Sequence, residues 1–158
     1  MLEKYFKNAS EQFAKPFVLV LAKFQIKPNT VSILGLIIVL LGSYFFYIDN
    51  KLIGIILIFL GSAIDGLDGP YARHQNLVSE RGAVLDSFID RLGELFIWSV
   101  VAVGYTSNDV ELFIVLSILV ASNLIPYIRA KSESNGITNK AGITARPERV
   151  IFAVIFMF

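Results

Sequence analysis

The stretch that decides the fold runs from residue 65 to residue 90 and reads D-G-L-D-G-P-Y-A-R-H-Q-N-L-V-S-E-R-G-A-V-L-D-S-F-I-D. It holds two pairs of aspartates, spaced i, i+3 and i, i+4 on either side of a short connector: Asp65, Asp68, Asp86 and Asp90. On helices, each pair lies on one face, and a short connector can bring the two faces together. Carboxylates this close would take up protons unless cations neutralised them. The spacing therefore predicts a site for two divalent ions, with oxygen ligands that suit magnesium, calcium or manganese.

The composition indicates a membrane protein made of a single domain over residues 1–158. The chain is 55% hydrophobic and 13% aromatic, which is too apolar for a water-soluble domain of this length. Its net charge of +1 gives no argument for a nucleic-acid partner. It has no cysteine and one histidine, His74, so thiolate and zinc sites are disfavoured. The charged N-terminus does not resemble a cleavable signal peptide.

Helix length draws the aspartates into the membrane. Residues 31–48 form an uncharged apolar run, the first predicted transmembrane helix. Residues 52–64 are also apolar, but a span needs about 20 residues, so this helix must continue through the first aspartate pair to about Arg73. A third span, 82–105, likewise needs the second pair inside it. The fold prediction is an all-α integral membrane protein.

The two ends of the chain carry most of its basic residues. Residues 2–27 combine lysines with phenylalanines and leucines, which predicts an amphipathic helix lying in the membrane interface. Residues 110–128 form the fourth predicted span, with Pro126 expected to kink it near its end. Residues 129–149 are predicted to form a polar, basic connector. Residues 150–158 begin a fifth span that is cut short, so we expect the chain to be C-terminally truncated.

The distribution of Lys and Arg predicts the orientation. The N-terminal segment, the connector between spans two and three, and the connector after span four are all basic, whereas the other two turns hold only Lys51. Alternating spans place the three basic segments on one side, which the positive-inside rule makes cytoplasmic. We therefore expect a multi-pass protein whose N-terminus and aspartate cluster face the cytoplasm.

The pattern D-x2-D-G-x2-A-R-x8-G-x3-D-x3-D over residues 65–90 resembles the signature of the CDP-alcohol phosphotransferases at every fixed position. The interfacial helix and the Pro-Asn-x-x-Ser sequence at residues 28–32 also resemble that family. The resemblance implies a homodimer with six spans per chain, of which about five are present here. It also implies transfer of a phosphatidyl-type group, diacyl or archaeal diether, from a CDP-linked lipid donor to an alcohol, with release of CMP, in phospholipid biosynthesis.

The resemblance assigns roles to individual residues. It implies that the four aspartates hold two Mg or Mn ions and that Asp90 is also the base for the acceptor hydroxyl. The residues implied for binding of the CDP donor are Asp68, Gly69, Ala72, Arg73 and Gly82.

The acceptor is inferred from residues 127–149, which resemble the corresponding stretch of phosphatidylinositol-phosphate synthases and their archaetidylinositol-phosphate counterparts. That resemblance implies inositol phosphate as the acceptor. The basic residues implied to bind its phosphate are Arg129, Lys131, Arg146 and Arg149. Glycerol phosphate or serine is the alternative acceptor. A basic loop that contacts anionic lipid headgroups is an alternative role for these residues.

Two other classes of membrane protein could use the same aspartates in a different way. A divalent-cation transporter would need polar groups along a whole path, but spans one and four have almost none near the far side. A non-catalytic membrane subunit could hold the aspartates in ion pairs with Arg73 and Arg91. Two carboxylates would then lack a compensating charge, which is costly when they are buried.

Overall fold

The computed structural model describes residues 14–24 and 26–137, and that part of the chain is helical without any strand. This confirms the all-α prediction. The helices are α1 (residues 14–23), α2 (Pro28–Tyr47), α3 (Lys51–Asp65), α4 (Asp68–His74), α5 (Glu80–Tyr105) and α6 (Asp109–Ser134). The first part of the predicted interfacial helix (2–13) and the predicted fifth span (150–158) lie outside the described residues.

Three helical segments are long and apolar enough to cross a membrane: Pro28–Tyr47, Lys51–His74, which comprises α3 and α4, and Asp109–Ser134. They correspond to the first, second and fourth predicted spans. Helix α5 is as long as α6, at 26 residues, but its N-terminal half carries the second aspartate pair and further charged residues. It is not among the segments that meet the apolar criterion, so the third span and the total number of spans remain predictions.

The helix ends differ from the sequence expectation in two places. The first span is predicted to begin at residue 31, but α2 begins three residues earlier with Pro28, and no side chain caps it. Proline is well suited to this first position because its fixed φ matches the helix and its missing N–H is not needed there. Helix α6 continues through Pro126 to Ser134, so the start of the predicted connector is helical.

Helix α2 is the centre of the described structure. It packs against α3, α4 and α5, and α6 packs mainly on α5. Helices α2 and α3 approach closely through two glycine pairs, Gly35 with Gly61 and Gly42 with Gly54. A Cβ atom added at any of these four positions would lie 2.7–2.9 Å from atoms of the facing helix. These glycines thus form a close helix contact of the kind found in membrane proteins.

Two apolar clusters hold the helices together. The larger one joins α2, α3, α5 and α6 and includes Phe46, Ile58 and the buried Trp98. The smaller one attaches α1 to α2 and α4, and its central residue is Tyr71, which is 1% exposed. The Tyr71 hydroxyl also donates a hydrogen bond to the Leu21 carbonyl at 3.4 Å. Helix α1 is therefore attached directly to α4, the helix of the motif that begins with Asp68.

Candidate active site

Three carboxylates converge where α3, α4 and α5 meet. Asp65, Asp68 and Asp86 each place an oxygen within 4.8 Å of the other two. Ligand oxygens bind Mg²⁺ or Ca²⁺ at roughly 2.0–2.6 Å, so oxygens on opposite sides of one ion lie about 4–5 Å apart. The separation of these three carboxylates fits a shared cation, and their hard oxygen donors fit magnesium or manganese. Asp90 is one turn further along α5, half-buried, and does not belong to this close group.

A tight turn separates the first two aspartates. Helix α3 ends at Asp65, and Gly66 and Leu67 keep right-handed backbone angles with ψ of −8° and −18° before α4 begins at Asp68. The Leu67 N–H bonds to the Ile64 carbonyl at 3.0 Å, an i to i−3 bond that tightens the chain. The span predicted to continue through both aspartates is one segment, Lys51–His74, but this turn divides it into α3 and α4. The chain keeps its direction but passes through a turn.

Helix α2 reaches both halves of the motif, although it lies outside it. The buried Ser32 hydroxyl donates a hydrogen bond to Oδ2 of Asp68. The backbone of Gly35 faces Asp65. A Cβ atom on Gly82 would lie 3.4 Å from Oδ1 of Asn29. Sequence reasoning noted the Pro-Asn-x-x-Ser pattern but assigned no role to Ser32, since its partner is 36 residues away.

The residues predicted to bind the donor surround the turn and the start of α5. Gly69 lies beside the guanidinium of Arg73, because a Cβ at position 69 would be 3.5 Å from Nη1. The Arg73 side chain is exposed, whereas Ala72 and Gly82 are half-buried. The N–H of Gly82 donates to Oγ of Ser79, the N-cap of α5, at 3.1 Å. Two glycines and one exposed guanidinium thus leave room and charge beside the carboxylates.

The residues predicted to bind the acceptor are not in the same environment. Arg129 and Lys131 are exposed on the last turns of α6. Nε of Arg129 lies 3.4 Å from Oε1 of Glu133 in an exposed ion pair. Helix α6 packs mainly on α5, the helix that carries Asp86 and Asp90. Arg146 and Arg149 lie outside the described residues.

Other polar residues near the site have defined places. His74 is exposed, as its position at the end of the motif helix predicts. Nη1 of Arg91 donates to the Ser87 carbonyl of its own helix at 2.7 Å. Glu94, which follows Asp90 by one turn of α5, is 4% exposed.

Known proteins similar to this chain agree on one family. The sequence model described as CDP-alcohol phosphatidyltransferase matches residues 25–158. A Pyrococcus horikoshii protein named archaetidylinositol phosphate synthase is 38% identical over 136 residues, which cover 85% of this chain and 71% of that protein.

Two crystal structures of the phosphatidylinositol phosphate synthase of Mycobacterium tuberculosis have a similar fold at 28% identity. The structure in complex with manganese and citrate gives a TM-score of 0.78 and covers 90% of this chain and 70% of that one. The structure with CDP-DAG bound gives a TM-score of 0.77 and covers 91% and 74%, respectively. The region matched to the family includes all four aspartates and the whole motif.

Proposed function

Because the chain belongs to the CDP-alcohol phosphatidyltransferase family, we propose that it transfers a phosphatidyl-type group from a CDP-linked lipid to inositol phosphate and releases CMP. The observation that carries this proposal is the convergence of Asp65, Asp68 and Asp86 within 4.8 Å. Those three residues belong to the family motif, and their geometry suits a cation. The relatives named archaetidylinositol phosphate synthase and phosphatidylinositol phosphate synthase support the choice of acceptor.

The reaction is a displacement at phosphorus. A hydroxyl oxygen of the acceptor forms a bond to the phosphorus that carries the lipid. The bond from that phosphorus to the oxygen bridging it to the CMP phosphate breaks, and CMP leaves with the bridging oxygen. The hydroxyl proton passes to the Asp90 carboxylate, which acts as general base.

The carboxylates provide the places for two divalent ions. Asp65, Asp68 and Asp86 would hold the first, and Asp90, one turn along α5, would complete the ligand set for a second. When bound, Mg²⁺ or Mn²⁺ would neutralise the diphosphate oxygens and stabilise the leaving group. The chain's own part is to fix the carboxylate positions, which the burial of Asp65 at 1% exposure favours.

Donor binding is proposed for Gly69, Ala72, Arg73 and Gly82 together with Asp68. The absence of side chains at the two glycines lets a diphosphate approach the backbone. The guanidinium of Arg73 supplies several N–H donors in one plane, and charge-assisted bonds to phosphate are among the stronger hydrogen bonds. Its guanidinium is exposed beside Gly69, where a diphosphate that approaches the backbone would meet it.

Acceptor binding is proposed for Arg129, Lys131, Arg146 and Arg149. A phosphorylated polyol needs positive charge to bind its phosphate, and these residues supply positive charge in a stretch that resembles the corresponding stretch of phosphatidylinositol phosphate synthases. Glycerol phosphate would need the same charge, so it is the nearest alternative acceptor. Serine would not.

The proposed location is a membrane with the site at its cytoplasmic side. Three helical segments meet the length and hydropathy needed to span, and Lys and Arg concentrate in the segments predicted to be cytoplasmic. The exposed Phe17 of α1 and the exposed Phe24 directly after it lie near lysines in the sequence, which suits a helix lying in the interface. We further propose that the protein works as a homodimer, as the family resemblance implies.

The test is CMP release by the purified protein in lipid vesicles that contain a CDP-linked lipid. Inositol phosphate, glycerol phosphate, serine and free inositol are compared side by side, each with Mg²⁺, with Mn²⁺ and with a chelator. We expect metal-dependent CMP release that is fastest with inositol phosphate. Metal-dependent release with a different preferred acceptor would overturn only the assignment of inositol phosphate as the acceptor. Absence of release with every acceptor would overturn the transferase proposal.

A further inference from the structure

Helix α2 lies against both halves of the aspartate motif. Helix α2 packs against α3, α4 and α5, whereas α3 and α5 have at most a minor contact. We propose that α2 positions Asp65 and Asp68 for metal binding, with Gly35 and Ser32 as the positioning residues. This inference rests on the proposed function, and it extends the site to a helix that contributes no carboxylate.

Gly35 fixes the position of Asp65 by allowing the two backbones to touch. An added Cβ at Gly35 would lie 2.8 Å from Cβ of Asp65 and 2.9 Å from its backbone nitrogen. Neither atom is the end of a flexible side chain, so an alanine there must displace the start of the Asp65 side chain. A displacement of about 0.5 Å is enough to disturb a metal or catalytic site. The oxygen of Gly61 lies equally close and prevents α3 from yielding by simple rotation.

Ser32 fixes the orientation of Asp68 by a hydrogen bond. Its hydroxyl is 2% exposed and donates to Oδ2 of Asp68. A buried donor of this kind selects one rotation of the carboxylate. Mutation of a group that orients a metal ligand in this way typically costs about ten- to a hundredfold in metal affinity or activity.

The same helix offers matched controls. A Cβ at Gly42 would lie 2.7 Å from the Ile58 nitrogen and 2.8 Å from the Gly54 oxygen, so alanine there crowds the α2–α3 contact equally, but among apolar residues. Ser43 is 2% exposed like Ser32, and its hydroxyl has no hydrogen-bond partner within the described ranges. Each control reproduces the change in size without touching an aspartate.

The experiment measures Mn²⁺ affinity of the full chain in detergent by electron paramagnetic resonance, together with the melting temperature. We expect Gly35→Ala and Ser32→Ala to weaken Mn²⁺ binding by about ten- to a hundredfold, the usual effect of losing a group that orients a metal ligand. Gly42→Ala should lower the melting temperature as Gly35→Ala does but leave Mn²⁺ affinity unchanged. Ser43→Ala should also leave the affinity unchanged, and Ser32→Thr, which keeps the hydroxyl, should retain it.

Three results would overturn the inference. One is equal destabilisation by Gly35→Ala and Gly42→Ala with unchanged Mn²⁺ affinity in both. Another is a raised KM for the CDP-linked donor in Ser32→Ala with unchanged Mn²⁺ affinity, which would make Ser32 a donor ligand. The third applies if Gly35→Ala does not fold. Ser32→Ala adds no atoms, and an unchanged Mn²⁺ affinity in that variant is then enough to overturn the inference. A wild-type protein that binds Mn²⁺ but releases no CMP refutes the proposed function, while the affinities still test the positioning.

Discussion

The carboxylates around α4 and the basic side chains at the end of α6 differ in how the chain holds them. Asp65 is 1% exposed and packs against the backbone of Gly35. Arg129 and its partner Glu133 have side chains that are 55% and 58% exposed, on a helix that packs mainly on α5. Coordination of an ion needs oxygens at fixed positions, whereas attraction of a phosphate acts over several ångströms. The buried aspartates therefore suit a role that needs fixed positions, such as ion coordination. The exposed basic residues at the end of α6 suit the proposed role of attracting a phosphate.

The largest effect is expected at the aspartate end. Asp90→Asn should lower the rate of CMP release by about 10²- to 10⁴-fold, because it removes the general base with almost no change in shape. The melting temperature should stay that of the wild type, which a thermal scan checks. Asp109→Asn, at an exposed carboxylate at the start of α6, serves as the control. Activity near wild type in Asp90→Asn would refute the catalytic assignment.

Arg73→Ala tests the donor side of the same region. Loss of a charge-assisted bond costs roughly 1.5–3 kcal/mol, about ten- to a hundredfold in affinity, so we expect the donor KM to rise by that factor. The acceptor KM should not change, because Arg73 lies beside Gly69 of the motif. Arg81→Ala, at an exposed arginine at the start of α5, is the control. A raised acceptor KM with an unchanged donor KM would reverse the assignment.

Arg149→Ala tests the basic end, and here the expected effect is at the lower limit of that range. We expect the acceptor KM to rise at least about tenfold with little change for the donor. Inositol phosphate should be used far better than free inositol, since only the phosphate needs the charge. Separate substrate titrations measure both constants. Preference for free inositol or serine would contradict the basic acceptor site.

Arg129→Ala should have the smallest effect. Its ion pair with Glu133 is exposed, and exposed charge pairs contribute about 0.2–1 kcal/mol, so the acceptor KM should rise by about fivefold or less. Raised salt should diminish the difference from wild type, because it screens an exposed charge. Glu133→Ala should lower the acceptor KM by releasing Arg129. A large, salt-independent effect of Arg129→Ala would show that this residue is buried against the acceptor.

The local part of the site could be predicted from the sequence. The family predicted from the motif is confirmed. Helix geometry predicted that the two aspartate pairs meet, and three of the four aspartates do converge. The turn at Gly66 and Leu67 was missed, since both residues keep nearly helical angles. The contacts of Ser32 and Gly35 were also missed. They join positions about 30 residues apart in the chain, and no local pattern encodes such a tertiary contact.

The end of α6 shows a different limit. Hydropathy predicted that the fourth span ends near residue 128. The charged residues that follow predicted the start of a connector. The helix instead continues to Ser134, with Arg129 and Glu133 paired at i, i+4. It ends before Gly136, whose φ of 75° suits a helix terminus. Hydropathy marks where a membrane ends, not where a helix does.

The glycine pairs between α2 and α3 have a consequence for biosynthesis. Their contacts join two helices that are separated by a turn of three residues, Ile48 to Asn50. Neighbouring helices of this kind can pair as soon as both have left the ribosome, before α5 has left it. We therefore expect the first aspartate pair to reach its place on α2 during translation and to await the second. Substitutions at Gly42 or Gly54 would then reduce the amount of inserted protein more than the turnover of each molecule.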